Sequence, residues 1–185
     1  MAWKNDQVSE RETTKILELA RTCLKIEGDY VELGCYKGDT SLLLAEVLKD
    51  SDKKLWIYDS FEGLPEKTES DESALGVDFK KGELVITKRE VKQRFLKTNL
   101  PVPVIKKMWF SDLKPEDLPE EIAFAFLDGD FYESIKDSLK LVMPKMVEDG
   151  ALVIHDYSNP ALPGVKKAVD EFVTSKSLKF RIVLL

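Results

Sequence analysis

An α/β fold, an open and mostly parallel sheet with helices on both faces, is what the sequence predicts, and three observations carry it. Short runs such as IAFAFL and ALVI are apolar throughout, as strands covered on both faces are. Stretches of helical period separate these runs, so strands and helices alternate along the chain. Four of the strand-like runs also end at glycine, aspartate or histidine, and in such sheets ligands bind at the carboxyl ends of the strands. The pattern is Rossmann-like.

Taken in order, Ser9 and Glu12 form a capping box, and Ile16, Leu17, Ala20, Cys23 and Leu24 continue a helix over about 10–26. Gly28 ends it. Residues 29–33 (DYVEL) read as a buried strand running into a glycine turn at 34–38, after which Leu42, Leu43, Leu44, Val47 and Leu48 mark a second helix. The next strand is 54–58 (KLWIY). Residues 59–82 are rich in Glu, Asp, Ser, Gly and Pro and show little periodicity, which predicts a long loop with few apolar anchors, closing as a lid. Thr87 and Glu90 form a second capping box before a helix through Val91, Phe95 and Leu96. A third strand follows at 102–106, a fourth at 122–127, a helix from Phe131 to near Pro144, and Gly150 as the end of that unit. A fifth strand at 151–154, a helix at 164–173 and a sixth strand at 180–185 complete the series.

The chain of 185 residues is the length of one domain, and 43% hydrophobic with 34% charged residues describes a globular protein with a well-solvated exterior. A net charge of −6 argues against nucleic acid as a partner. Two cysteines make neither a disulfide framework nor a zinc array. With no apolar run of membrane-span length and no apolar N-terminal stretch, the expectation is a cytoplasmic protein without a membrane partner.

Chemistry concentrates after the strands. Glu32 stands at the first strand end beside Gly34 and Gly38, with Tyr36 where a dinucleotide site has its middle glycine. A pyrophosphate is poorly served there. An acidic strand end suits the cationic sulfonium and ammonium of S-adenosylmethionine, while a plain tight turn explains the glycines equally. Asp59 ends the second strand, in position to accept ribose hydroxyls or to cap the turn through Ser60. Trp109 and Phe110 follow the third strand and offer a wall for adenine or a piece of core. Asp128 and Asp156 are 28 residues apart, one strand-helix-strand period, which brings two carboxylates side by side for Mg²⁺. Alternatively Asp128 and Asp130 cap the following helix. His155, the sole histidine, is a candidate general base.

The ordered set VELGCYKGDTS, YDSFEGLPE, KKMWFSDL, LDGDFYES, VMPKMVEDGALVIHDY and GVKKAVDEF resembles the macrocin O-methyltransferase family, within the class I S-adenosylmethionine-dependent methyltransferases. The resemblance covers about residues 30–172. It implies that Glu32, Gly34, Tyr36, Thr40 and Ser41 embrace the methionine part of the cofactor, with Gly38 in the same turn. It also implies Asp59 and Ser60 on the ribose, Trp109 and Phe110 at adenine, and Asp128 with Asp156 on Mg²⁺ beside an acceptor hydroxyl of a small molecule. Asp128 or His155 would then assist proton removal. Where the family has two adjacent aspartates after the fifth strand, this sequence has His155 and Asp156. The chain stops at Leu185, where class I methyltransferases add a seventh strand, so the expectation is a sheet lacking that strand and an edge covered in a homo-oligomer. Two other readings stand beside this one. In one, LDGD is the acidic motif of a metal-dependent phosphatase or a glycosyltransferase; in the other, the chain is a non-catalytic cofactor-binding module.

Overall fold

The computed structural model describes residues 7–76, 78–173 and 178–185. The stretch 1–6, in which no export signal was read, and Val77 of the long loop lie outside these residues. In chain order the elements are α1 (Glu10–Thr22), β1 (Asp29–Leu33), α2 (Asp39–Leu48), β2 (Leu55–Asp59), α3 (Lys88–Leu96), β3 (Val104–Lys107), β4 (Ile122–Leu127), α4 (Tyr132–Val142), β5 (Met146–Ile154), α5 (Pro163–Phe172) and β6 (Arg181–Leu184). The strands pair in the order β3-β2-β1-β4-β5-β6, and each pairing is parallel. The direction of winding reverses between β1 and β4, and a crevice opens above the carboxyl ends of strands at such a point.

Two-residue periodicity divides the core between the two faces. Tyr30, Phe124, Phe126 and Val153 are buried with Ile16 and Ala20 of α1, Leu44 of α2 and Phe95 of α3. Val31, Leu33, Leu127, Leu152 and Ile154 are buried with Ile135 and Leu139 of α4 and Val165 and Val169 of α5. Each of the larger side chains, the valines, leucines, isoleucines and phenylalanines, gains roughly 1.5–3 kcal/mol from burial, so packing rather than local propensity holds these short helices. Both capping boxes form, with Glu12 N–H donating to Ser9 Oγ (3.3 Å) and Glu90 N–H to Thr87 Oγ1 (3.2 Å).

The differences from the sequence reading have local causes. The α-helix ends at Thr22, and Cys23–Lys25 continue as a tighter 3-10 turn. β3 starts at Val104 and not at Val102, because Pro103 has no N–H to give to a ladder. β5 starts at Met146, five residues before the expected position, and Gly150 lies inside it rather than at a boundary. A Cβ at Gly150 would stand 2.9 Å from the Ala123 carbonyl oxygen, and the β4–β5 register shifts there. That glycine marks a close approach of two backbones.

The long loop is tied down at its stems. Phe61 and Leu64 are buried, Leu64 N–H donates to Glu83 O (2.8 Å), and Gly82 N–H donates to Leu64 O (2.9 Å). A 3-10 turn, Glu69–Asp71, carries the buried Asp71, whose Oδ1 accepts the Tyr132 N–H at the start of α4 (2.7 Å). The cap of α4 therefore comes from this loop and not from Asp128 or Asp130. The expectation of few anchors is corrected by the same residues, since Asp71 satisfies a helix N–H that only a docked loop can reach.

Candidate active site

β1 ends in Glu32 and Leu33, and Gly34 then turns at φ 90°. A Cβ at Gly34 would overlap the Asp128 carbonyl oxygen, so the β1 and β4 ends meet backbone to backbone at the winding reversal. Beyond it, Tyr36 (φ 42°) leads to Gly38 (φ 77°), the N-cap of α2. Arg94 of α3 donates to Asp39 Oδ1 (2.5 Å) and to the Lys37 carbonyl, which fixes the start of that helix.

Beneath the turn, Glu32 is fully buried. Ser41 Oγ donates to its Oε2, whereas its Oε1 is buried without a hydrogen-bond partner among the described residues. Burial, helped by nearby carboxylates, pushes the Glu32 carboxyl from 4.5 up to about 8. Asp59, at the end of β2, accepts through Oδ2 from the Cys35 and Tyr36 N–H groups (2.9 and 3.3 Å) and through Oδ1 from Phe61 N–H (2.7 Å). Its carboxylate thus joins two strand-end loops, and Oδ1 keeps capacity for a further donor.

A cavity of about 200 Å³ lies over these ends. Gly34, Tyr36, Asp59 and Ser60, at the ends of β1 and β2, line it together with Trp109 and Phe110, and Asp128, Asp130, His155 and Asp156, past the ends of β4 and β5, line it as well. Of the residues read from sequence, Glu32, Gly38, Thr40 and Ser41 are not on its wall. Glu32 and Ser41 sit behind the glycine turn because β1 alternation points position 32 into the α1–α3 face of the core.

The acidic side is built on two left-handed residues, Asp130 (φ 60°) and Asp156 (φ 58°). His155 Nδ1 lies 3.0 Å from both Asp128 Oδ1 and Asp156 Oδ2, and its Nε2 is 3.9 Å from Glu12 Oε2. Burial opposes the imidazolium, but the hydrogen bonds and charges of Asp128 and Asp156 outweigh it and raise His155 to about 11. That proton weighs against the general-base role read for His155 as long as the two carboxylates have no other cation between them. With its proton between the two carboxylates the ring does not accept another, and only a cation that displaces this proton would free Nδ1. Asp156, despite its burial, is held below the usual carboxylate range by His155.

The sequence reading missed Asp130 as a site residue. Its carboxyl faces the cavity, meets no hydrogen-bond donor among the described residues, and is pushed well above the usual range by burial and by Asp128 and Asp156. Its signal was the second aspartate of LDGD, read only as a helix cap. Gln7 and Glu12 also reach the site, and nothing in their local spacing marked them.

Residues 12–183 match the family model described as macrocin O-methyltransferase (TylF). The chain belongs to this family. Within the family's reach, it is 29% identical over 172 residues to the demethyldecarbamoylnovobiocin O-methyltransferase of Streptomyces niveus, covering 85% of this chain and 65% of that one. It is 31% identical over 156 residues to the 8-demethyl-8-(2,3-dimethoxy-alpha-L-rhamnosyl)-tetracenomycin-C 4'-O-methyltransferase of Streptomyces olivaceus, covering 80% and 58%. The solved O-methyltransferase NovP superposes with a TM-score of 0.72 at 30% identity, covering 84% of this chain and 69% of NovP. The chain thus spans about two thirds or less of the length of the curated relatives it matches. Macrocin O-methyltransferase membership places LDGD in a methyltransferase context and leaves no support for its phosphatase or glycosyltransferase reading. Among the described residues no helix is long and apolar enough to cross a membrane.

Proposed function

We propose that this chain transfers a methyl group from S-adenosylmethionine to a hydroxyl of a small molecule, a sugar hydroxyl of a natural product being the class that the relatives' names point to. The observation that carries the reading is the meeting, in one cavity at the winding reversal, of the Gly34–Asp59 side with the Asp128–Asp130–Asp156 side.

The residues present fit the cofactor. The unpartnered, buried Glu32 Oε1 is an acceptor for an ammonium, and Gly34 and Tyr36 line the cavity in front of it. When bound, S-adenosylmethionine supplies an electrophilic methyl on a cationic sulfonium. Glu32, Gly34 and Tyr36, with Gly38, Thr40 and Ser41 shaping the turn behind them, hold the methionine end. Asp59 Oδ1 and Ser60 take the ribose, and Trp109 and Phe110 border adenine. On the other side Asp130, once ionised, accepts the hydroxyl proton as general base, its raised proton affinity making it a stronger base than an ordinary carboxylate, with the acceptor held in line by the pocket walls. Asp128, also read as assisting proton removal, is committed to His155 and serves to position.

A divalent cation fits the second side as well. Asp128, His155 and Asp156 each offer a ligand atom, all within 4.8 Å of one another. Such an ion would lower the pKa of the acceptor hydroxyl and orient it. Mg²⁺ is the ion that the family likeness implies, and two carboxylates suit it, but the nitrogen between them does not.

The test is calorimetry with S-adenosylhomocysteine followed by transfer of labelled methyl to a panel of glycosylated natural products, free sugars and phenols. Binding at micromolar concentration and transfer to a hydroxyl are expected. No binding sinks the reading, and binding without transfer to any acceptor favours a cofactor-binding module.

A further inference from the structure

We infer that His155 is itself a metal ligand through Nδ1, and that the ion it shares with Asp128 and Asp156 is of the imidazole-accepting class represented by Mn²⁺ and Co²⁺, not Mg²⁺. The inference rests on the site described above but not on the identity of the methyl acceptor.

Distance comes first. Nδ1 lies 3.0 Å from Asp128 Oδ1 and 3.0 Å from Asp156 Oδ2. Around a six-coordinate ion with bonds of about 2.1 Å, neighbouring ligand atoms are about 3.0 Å apart. Around a tetrahedral zinc with similar bonds the edge is about 3.4 Å. The two nitrogen–oxygen edges fit the octahedral case, and with the whole set within 4.8 Å the two carboxylates have only to draw together for an ion that leaves further positions for water and an acceptor oxygen.

Donor chemistry then selects the ion. Mg²⁺ takes oxygen ligands and gives up water reluctantly, so a nitrogen at the centre of the donor set counts against it. Mn²⁺ and Co²⁺ accept carboxylate oxygen and imidazole nitrogen together. His155 is held among its neighbours, since the residue is only 7% exposed and its ring centroid lies 6.0 Å from that of Phe126. The left-handed backbone of Asp156 is what directs two consecutive side chains to one point.

The far side of the ring completes the pattern. A histidine that ligates through one nitrogen gives the other N–H to a carboxylate, which fixes its tautomer. Here Nε2 faces Glu12 Oε2 at 3.9 Å, close enough to tighten by a side-chain adjustment. Glu12 is tied to Ser9 by the capping box, so the first turn of α1 supports the ring from behind. This gives the N-terminal helix a positioning task at the metal.

Calorimetry of the whole chain with MgCl2, MnCl2 and CoCl2, together with the visible spectrum of the Co²⁺ form and pulsed electron paramagnetic resonance of the Mn²⁺ form, tests this. Expected are at least tenfold tighter binding of Mn²⁺ and Co²⁺ than of Mg²⁺, and a nitrogen coupling to bound Mn²⁺. His155→Asp should remove the nitrogen coupling and invert the preference toward Mg²⁺, and Glu12→Gln, which keeps an oxygen for the cap, should weaken Co²⁺ binding severalfold. Mg²⁺ binding as tightly as Co²⁺, or Mn²⁺ bound without nitrogen coupling, would overturn the assignment. So would the absence of any ion binding to a chain that still binds S-adenosylhomocysteine; His155 would then be the permanent cation between the two carboxylates. Failure to bind S-adenosylhomocysteine with ion binding intact tells instead against the methyltransferase reading.

Discussion

Asp130 and Glu32 are both carboxyls that burial makes reluctant to ionise, and their surroundings assign them different work. Asp130 opens into the cavity with no donor on its carboxylate among the described residues, whereas Glu32 is closed behind the glycine turn. Asp130→Asn keeps the shape and tolerates the left-handed backbone, so it should lower the turnover number about 10²- to 10⁴-fold with cofactor affinity nearly unchanged. Single-turnover methyl transfer beside calorimetry checks this, and a wild-type rate in the variant would remove Asp130 from the chemistry. Glu32 gives a pH dependence whose sign follows from its shift. The free protein favours the acid below about 8, and an ammonium at Oε1 favours the carboxylate, so binding must expel a proton. S-adenosylmethionine affinity should therefore rise from pH 6 to pH 8, by up to about tenfold per unit, and calorimetry in two buffers should detect proton release. Glu32→Gln should flatten the profile. Equal affinity at both pH values in the wild type would place the ammonium elsewhere. The same shift lowers the stability of the unliganded protein as pH rises from 4.5 toward 8, because the unfolded chain ionises first.

Among the elements, strands and helices were legible because apolar runs, capping boxes and glycine turns are local signals. The docking of the 61–82 loop was not, because it depends on one carboxylate meeting two distant helices. Asp71 Oδ1 accepts from Tyr132, and Gly164 of α5 carries no side chain where that carboxylate lies, since a Cβ there would overlap Oδ1. Ser73 Oγ to the Pro160 carbonyl (2.9 Å) and Lys167 Nζ to Ser70 Oγ (2.9 Å) extend the seam. Gly164→Ala should unseat Asp71 and leave the Tyr132 N–H unsatisfied, at a cost of about 1–3 kcal/mol. Hydrogen exchange checks it at the level of single segments. In the wild type without ligand, residues 61–73 should be protected while the exposed 74–76, 78, 80 and 81 exchange fast; in Gly164→Ala the first stretch should join the second. Fast exchange across the whole loop in the wild type would restore the freely opening lid.

For the whole molecule, the strand order explains why some of the site could be read from sequence and some could not. Residues just past a strand, such as Asp59, Asp128 and His155, fall at the same end of a parallel sheet whatever its order, so their convergence was legible. Which carboxylates flank His155 depends on β4 and β5 being neighbours, and the arrival of Glu12 depends on where α1 packs. Neither is encoded in spacing alone. The same layout makes the ligand a clamp across the sheet, because β1 and β2 residues hold one side of the cavity and β4 and β5 residues hold the other. Anything that binds only this assembled cavity stabilises the fold by about 2.7 kcal/mol at a free concentration a hundred times its Kd. For a chain of this size that is a rise in Tm of roughly 5–10 °C. S-adenosylhomocysteine should produce such a shift, and Mn²⁺ a further one, because its ligands come from the ends of β4 and β5. A matched experiment on His155→Asp should keep the S-adenosylhomocysteine shift and lose the Mn²⁺ increment in favour of Mg²⁺. A cofactor product that raises Tm by less than 1 °C at saturation would mean that the cavity is not assembled around it, and the clamp would have to be abandoned.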